Sequence, residues 1–298
     1  MVSRSPGFHG RQEARALTEE KFGPRVDSHV PHATLVRRAA PVRALQGETM
    51  SNQGRFVWRE LVVKNQTKAS AFYEHVFGWK AATVEMGPGY RYTLLKNGER
   101  DVGGLAAPPA DRDVEANWLT YITVDDVDAT AARVPSLGGS MLMAPFDVPS
   151  VGRVAIVADP QGGVFAAFQS LTPGASDTTP VTHSFCWAAI IAKNVDALVP
   201  FYTSLFGWTP SPMGEPGHVL FSRGEEMVGS TMQSTDTSTP TQWLNYVAVE
   251  NLGASTKTAQ AAGAELVYGP VVVPQQGSYA VVTDPTGALV ALWQGAQA

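Results

Sequence analysis

The chain contains one pattern twice. Phe72-Tyr73-Glu74-His75-Val76-Phe77-Gly78-Trp79 returns 129 residues later as Phe201-Tyr202-Thr203-Ser204-Leu205-Phe206-Gly207-Trp208. The same offset relates Trp58 to Trp187 and Lys64-Asn65 to Lys193-Asn194. Beyond them the offset is 125, relating Trp118 to Trp243, Gly138 to Gly263, Asp159-Pro160 to Asp284-Pro285 and Gly162 to Gly287. A fixed offset interrupted by one small deletion is the mark of a duplicated domain. The spacing divides the chain into an N-terminal extension (1–53), a first domain (54–171), a linker (172–182) and a second domain (183–296).

Each copy is long enough to bury a core of its own. The net charge is −5, and residues 1–49 carry eight Lys/Arg against five Asp/Glu, which leaves the remainder at 14 − 22 = −8. An acidic body without a basic patch argues against nucleic acid as a partner. No apolar run approaches the ~18–20 residues that span a bilayer, so no membrane partner is expected. The single cysteine, Cys186, excludes an intrachain disulfide framework and fits a reducing compartment, hence a cytoplasmic location. The extension is rich in Arg and Pro and has no apolar period. It reads either as a disordered tail or as a mis-assigned start, with Met50 the true first residue, and no chemistry is expected there.

Within a copy, apolar periodicity gives the element order. Phe56–Val63 alternates as a strand, with Phe56, Trp58, Glu60 and Val62 on one face and Val57, Arg59, Leu61 and Val63 on the other. Asn65 can cap a helix in which Ala69, Phe72, Tyr73, Val76 and Phe77 form one stripe, and Gly78 ends it. Three strands follow (80–86, 90–96, 102–107). The cycle then restarts with a strand over 118–124, a helix over 127–136 and strands near 140–145, 153–158 and 163–168. Asp159-Pro160-Gln161-Gly162 and Asp284-Pro285-Thr286-Gly287 carry the residues of a type I turn and need no catalytic explanation. The unit is β-α-β-β-β, twice per domain and four times per chain, an α+β architecture.

Paired β-α-β-β-β modules, the Phe-Tyr-x-x-Val/Leu-Phe-Gly-Trp helix end and the late Asp-Pro-x-Gly turn resemble the vicinal oxygen chelate superfamily of glyoxalases, extradiol dioxygenases and bleomycin-resistance proteins. The resemblance covers about four-fifths of the chain and is similar in particular to two-domain glyoxalase-like bacterial proteins. It implies two tandem domains, packed as a pseudo-dimer within one chain, each a curved sheet around a cleft. Enzymes of that superfamily hold a divalent metal with four His/Glu/Gln-type ligands, one from each of four strands. Carried onto this chain, the ligand positions fall at Trp58, Gly103 or Gly104, Leu119 and Ala166, and at Trp187, Gly229 or Ser230, Leu244 and Ala291. None is a metal donor of the required kind. Three of the six histidines lie in the extension, and His75, His183 and His218 read as solvated or capping residues. No metal and no cofactor are expected.

What remains is aromatic. Trp58 and Trp187 occupy would-be ligand positions and offer stacking surface to a flat molecule. Trp118 and Trp243 read equally well as cleft or as core, while Tyr121 and Tyr246, one strand face away, point to the cleft. Trp79 and Trp208 read as core. Glu60 shares the face of Trp58, where the second copy has Ala189. A carboxylate there is paired, solvated or functional, with Arg91 and Arg153 as candidate structural partners. Cys186 reads as an inert thiol facing the helix. The candidate ligand-binding set is therefore Trp58, Glu60, Trp118, Tyr121, Trp187, Trp243 and Tyr246. The expected function is metal-independent binding of a small, largely apolar or aromatic molecule, serving sequestration or resistance. A glyoxalase-like lyase or dioxygenase is the alternative, and a purely structural module the third reading.

Overall fold

The computed structural model describes residues 53–87, 91–111, 113–172, 181–214, 216–236 and 238–296. The readings on the extension up to residue 52 and on 173–180 of the linker lie outside the described residues. The first domain runs β1 (Phe56–Val62), α1 (Gln66–Phe77), β2 (Lys80–Glu85), β3 (Arg91–Asn97), β4 (Arg100–Ala106), β5 (Asn117–Thr123), α2 (Val127–Arg133), β6 (Ser140–Val148), β7 (Gly152–Ala158) and β8 (Val164–Ser170). The second repeats it as β9 (Phe185–Ala192), α3 (Val195–Phe206), β10 (Thr209–Pro212), β11 (Val219–Arg223), β12 (Glu226–Gln233), β13 (Gln242–Ala248), α4 (Leu252–Ala261), β14 (Glu265–Val273), β15 (Gly277–Thr283) and β16 (Leu289–Gly295).

Local chemistry sets these boundaries. The Asn65 side chain accepts from Lys68 N, and Gly78 ends α1 at φ 73°, in the left-handed region that favours glycine. Asn194 and Gly207 do the same for α3. The helix expected over 127–136 stops at Arg133 and continues as a 3-10 turn at Pro135–Leu137. Proline lacks the N–H that would extend the α-helical ladder.

Each domain forms one eight-stranded sheet, ordered β2-β3-β4-β1-β5-β8-β7-β6 and, in the second, β10-β11-β12-β9-β13-β16-β15-β14. β1 pairs parallel with β4 and antiparallel with β5, which joins the two modules at the sheet centre. The helical side of each sheet is buried against the other domain. One core combines β1, α1 and β4 side chains (Leu61, Phe72, Leu105) with β13, α4, β15 and β16 side chains (Val247, Ala259, Val282, Leu292). The other joins the remaining modules in the same way.

The repeated motif explains the crossing. Tyr73 Oη donates to Asp284 Oδ2 of the opposite domain at 2.8 Å, and Tyr202 Oη donates to Asp159 Oδ2 at 2.7 Å. Trp79 Nε1 reaches His183 O, and Trp208 Nε1 reaches Gly54 O. The aspartates also shape their turns, as Asp159 Oδ1 accepts from Gln161 N and Gly163 N. They are thus turn-formers and interdomain acceptors together, and the turn residues of the sequence point only to the first role. With the helical faces consumed by the interface, the opposite, concave faces are left as the domain clefts.

Candidate functional site

The first concave face is built from the four central strands. Trp58 pairs with Tyr121, Glu60 with Leu119 and Gly104, and Tyr121 with Ala166. Strict pairing puts these side chains on one side of the sheet. Leu119, Val154 and Ala166 are buried there, with Tyr121, Ile156 and Phe168 packed around them. Within this apolar surface lies the Glu60 carboxylate. Glu60 Oε1 accepts from Tyr92 Oη at 2.7 Å and Oε2 from Tyr121 Oη at 3.0 Å, while Trp58 Nε1 donates to Tyr92 Oη at 3.1 Å. Burial pushes the Glu60 carboxyl above the usual carboxylate range, and the two phenol hydrogen bonds act against that shift. Tyr92 crosses the sheet directly over Gly104, where a Cβ would collide with its hydroxyl. The glycine at a would-be ligand position is therefore what admits the tyrosine.

Several expectations require correction. Trp118 and Trp243 do not face the clefts. Trp118 pairs with Leu61 on the helical side, is 3% exposed, and donates from Nε1 to Tyr73 Oη at 2.8 Å. Trp243, 4% exposed, meets the Tyr202 ring edge-on. Both belong to the interdomain core. Phe56 also leaves the face of Trp58, because the β1–β5 register shifts between Phe56 and Trp58. A bulge of one residue inverts every side chain beyond it, and Phe56 packs on Trp208 and Trp243. The matching irregularity in β9 places Cys186 with the cleft-side cluster of the second domain instead of against the helix. Its Sγ donates to Tyr246 O, and burial pushes the thiol up to about 12. Neither arginine candidate reaches Glu60. Arg153 pairs with Asp128 and Asp147, and the Arg91 side of β3 lies at the exposed end of the strand. The partners are tyrosines.

Trp58, Glu60 and Tyr121 are thus brought together as expected, and Tyr92 is the member that sequence reasoning missed. Its signal was the strand alternation of β3 opposite a glycine pair in β4. The second concave face differs. Trp187 Nε1 donates to Ser230 Oγ at 3.0 Å, and Tyr246, Tyr279, Tyr268 and Trp293 form a ring cluster with centroids 5.6 to 6.5 Å apart. At the 125 offset Tyr279 and Tyr268 replace Val154 and Met143 of the first domain. Tyr246 and Tyr279 are 5% and 8% exposed, so this face is largely filled by its own side chains.

The metal question turns on donors. The four converging positions present an indole, a glycine, an isobutyl and a methyl group in the first domain (Trp58, Gly104, Leu119, Ala166), and Trp187, Ser230, Leu244 and Ala291 in the second. Among the described residues no three His, Cys, Asp or Glu side chains are grouped to hold an ion. Glu60 is a single carboxylate with both oxygens engaged by phenols. The residues present do not fit a divalent metal held in the manner the fold permits.

The model of the Glyoxalase/Bleomycin resistance protein/Dioxygenase superfamily matches twice, over residues 55–166 and 184–292. A protein of Mycobacterium tuberculosis, CFP32, provisionally named a glyoxylase, is 32% identical over 244 residues, covering 80% of this chain and 93% of the relative. The anthracycline biosynthesis protein DnrV of Streptomyces peucetius is 27% identical over 247 residues, covering 78% and 90%. Among solved structures, the Mn(II)-bound glyoxalase from Novosphingobium aromaticivorans superposes with a TM-score of 0.56 at 18% identity, covering 82% of each chain. The 2,3-dioxygenase LapB from Pseudomonas sp. KL28 does so with 0.55 at 13%, covering 83% of this chain and 94% of its own. At such identities the superpositions speak for the fold alone. Two matched domains, the β-α-β-β-β modules and the paired eight-stranded sheets together make this chain a tandem two-domain member of the Glyoxalase/Bleomycin resistance protein/Dioxygenase superfamily.

Proposed function

We propose that the first concave face binds a small, largely apolar or aromatic molecule without a metal, and that Glu60 orients it. The observation that carries this reading is the Trp58–Tyr92–Glu60–Tyr121 array, a hydrogen-bonded polar group set in an otherwise apolar surface. A few convergent polar groups on an apolar wall are the usual make-up of a small-molecule site. Trp58 and Tyr121 supply stacking area. A ligand hydroxyl or N–H can take the place of one phenol on the carboxylate. The second face, filled by Tyr246, Tyr268 and Tyr279, offers Trp187 as stacking surface but no carboxylate, which favours the first domain as the site. Matches to proteins named for anthracycline biosynthesis are in keeping with a flat ligand. Sequestration follows from binding without chemistry, in the reducing interior that a lone cysteine suits.

The experiment is titration of an aromatic probe, 1-naphthol, against wild type, Trp58→Ala, Trp187→Ala and Glu60→Gln, with thermal melts as controls. Trp58→Ala is expected to weaken binding by about two- to tenfold, the stacking term of ~0.5–1.5 kcal/mol, and Trp187→Ala by less. A lower melting temperature with unchanged affinity in Trp58→Ala would remove the site from this face.

The second reading, a glyoxalase-like lyase or dioxygenase, is favoured by the 32% identity to a protein bearing a glyoxylase name. It requires a metal. Elemental analysis of protein purified without a nickel column separates the two readings: a stoichiometric divalent metal, removed by chelator together with activity, supports the enzyme.

A further inference from the structure

On the opposite side of β1 from Glu60, the pseudo-twofold axis of the chain carries a charge that the duplication did not copy. Arg59 lies there, and its counterpart in the second domain is Ala188. The Arg59 side chain is buried, the residue being 7% exposed. Its Nε donates to Asn245 Oδ1 and its Nη1 to Trp58 O at 3.3 Å. Asn245 is itself held by Thr120 and the Trp118 carbonyl. Among the described residues Arg59 forms no ion pair, and its Nη2 has no hydrogen-bond partner. The guanidinium lies 5.1 Å from the Phe56 ring centroid and 5.7 Å from that of Phe185, which offsets part of the burial cost. Burial lowers its pKa to about 9, which leaves it protonated at neutral pH.

A buried charge without a counter-charge is expensive and is normally paired. Cys186 is nearby but, with its thiol pushed up to about 12, carries no charge to offer. What adjoins the guanidinium is a cleft of about 400 Å³ between the domains, walled by Phe56, Phe185, Cys186, Trp187 and Val228 with Arg55 and Glu226 among its lining residues. Glu226 does not neutralise Arg59. Its Oε2 is taken by Arg55 at 3.0 Å and by Arg223 at 3.0 Å, so that carboxylate is already engaged by two other arginines. A guanidinium edge with free N–H groups at one end and aromatic and aliphatic walls around it matches a carboxylate on an apolar body.

We propose that this interdomain cleft is a binding site for a small organic monocarboxylate, with Arg59 as its counter-charge and Phe56 and Phe185 flanking the carboxylate. The site is separate from the Glu60 face and does not depend on what that face binds. The ligand completes the charge balance of the domain interface, so its binding stabilises the packed pair by mass action.

The probe is benzoate, with the neutral isostere benzamide as control, on the full chain. Binding is read at pH 7, where Arg59 is charged, by isothermal titration calorimetry and by the melting temperature. Benzoate is expected to bind saturably and to raise the melting temperature, and benzamide to do neither. Arg59→Met, which replaces the charge by an apolar chain of similar length, should abolish benzoate binding. Glu226→Gln changes a part-exposed side chain and removes the carboxylate among the cleft's lining residues, so it should tighten benzoate binding about two- to fivefold at low salt. Should Arg59→Met fail to fold, the Glu226→Gln shift and its loss in high salt still decide the matter. Equal binding of benzoate and benzamide, or none of either up to tens of millimolar, overturns the proposal.

Discussion

Replacing Tyr73 by Phe tests whether the repeated motif fastens the two domains together. The hydroxyl it removes lies in the interdomain core, fully buried, donating to Asp284 Oδ2 at 2.8 Å and accepting from Trp118 Nε1 at 2.8 Å. Phe fills nearly the same volume, so no cavity term enters. Two groups lose a partner. Asp284 is 3% exposed and Trp118 3% exposed, so water cannot readily replace it. Asp284 Oδ1 keeps its contacts to Thr286 and Ala288, and the aspartate turn itself survives. Each buried group left unsatisfied costs ~1–3 kcal/mol, with the carboxylate at the upper end, for a sum of about 3–5 kcal/mol. At roughly 2–4 °C per kcal/mol for a chain of this size, the melting temperature should fall by about 6–20 °C. The assay is urea and thermal unfolding of Tyr73→Phe, Asp284→Asn and the double variant. A coupling of at least ~1 kcal/mol between the two sites is expected, since residues sharing one hydrogen bond are not additive. Naphthol affinity should not change. A loss below about 2 °C, or additive single variants, would refute the idea that this phenol holds the domains.

Trp118→Phe should lower stability by roughly 1–3 kcal/mol through the lost Tyr73 contact and ring volume, with probe affinity intact, as chemical denaturation and titration will show. Gly104→Ala is expected to displace Tyr92 from Glu60 and weaken naphthol binding with little loss of melting temperature, since the new Cβ meets a side-chain hydroxyl and not backbone. Glu60 has a folded pKa above its unfolded value, so the native state binds the extra proton and stability falls as pH rises through the window between the two. Glu60→Gln abolishes that slope. Its stability relative to wild type should therefore rise from the ordinary carboxylate pKa to the raised one and level off above it, measured by melts across pH 4 to 8.

The sequence alone determined the architecture, because its signals are local and occur twice. Apolar spacing in Phe72-Tyr73…Phe77 defines one buried stripe whatever it meets, Asn65 and Gly78 mark the ends of the helix, and the two offsets prove duplication. It also placed Trp58, Glu60 and Tyr121 on one face, since alternation within a regular strand is a property of the backbone. What it could not reach depends on register and on distant partners. Trp118 is one strand position from the cleft residue Leu119 and two from Thr120 on the core side, and its pairing with Leu61 is what makes it core. The bulges in β1 and β9 insert a residue without any glycine or proline to announce them, and so Phe56 and Cys186 changed faces. Tyr92 reaches Glu60 only because β3 lies two strands away across a glycine. Arg59, read as one more alternating strand residue, became a buried charge through Asn245, 186 residues further along, since folding brought β5 and β13 together at the axis. Tertiary structure decided those contacts because each depends on which two segments meet, and a local pattern carries no record of that.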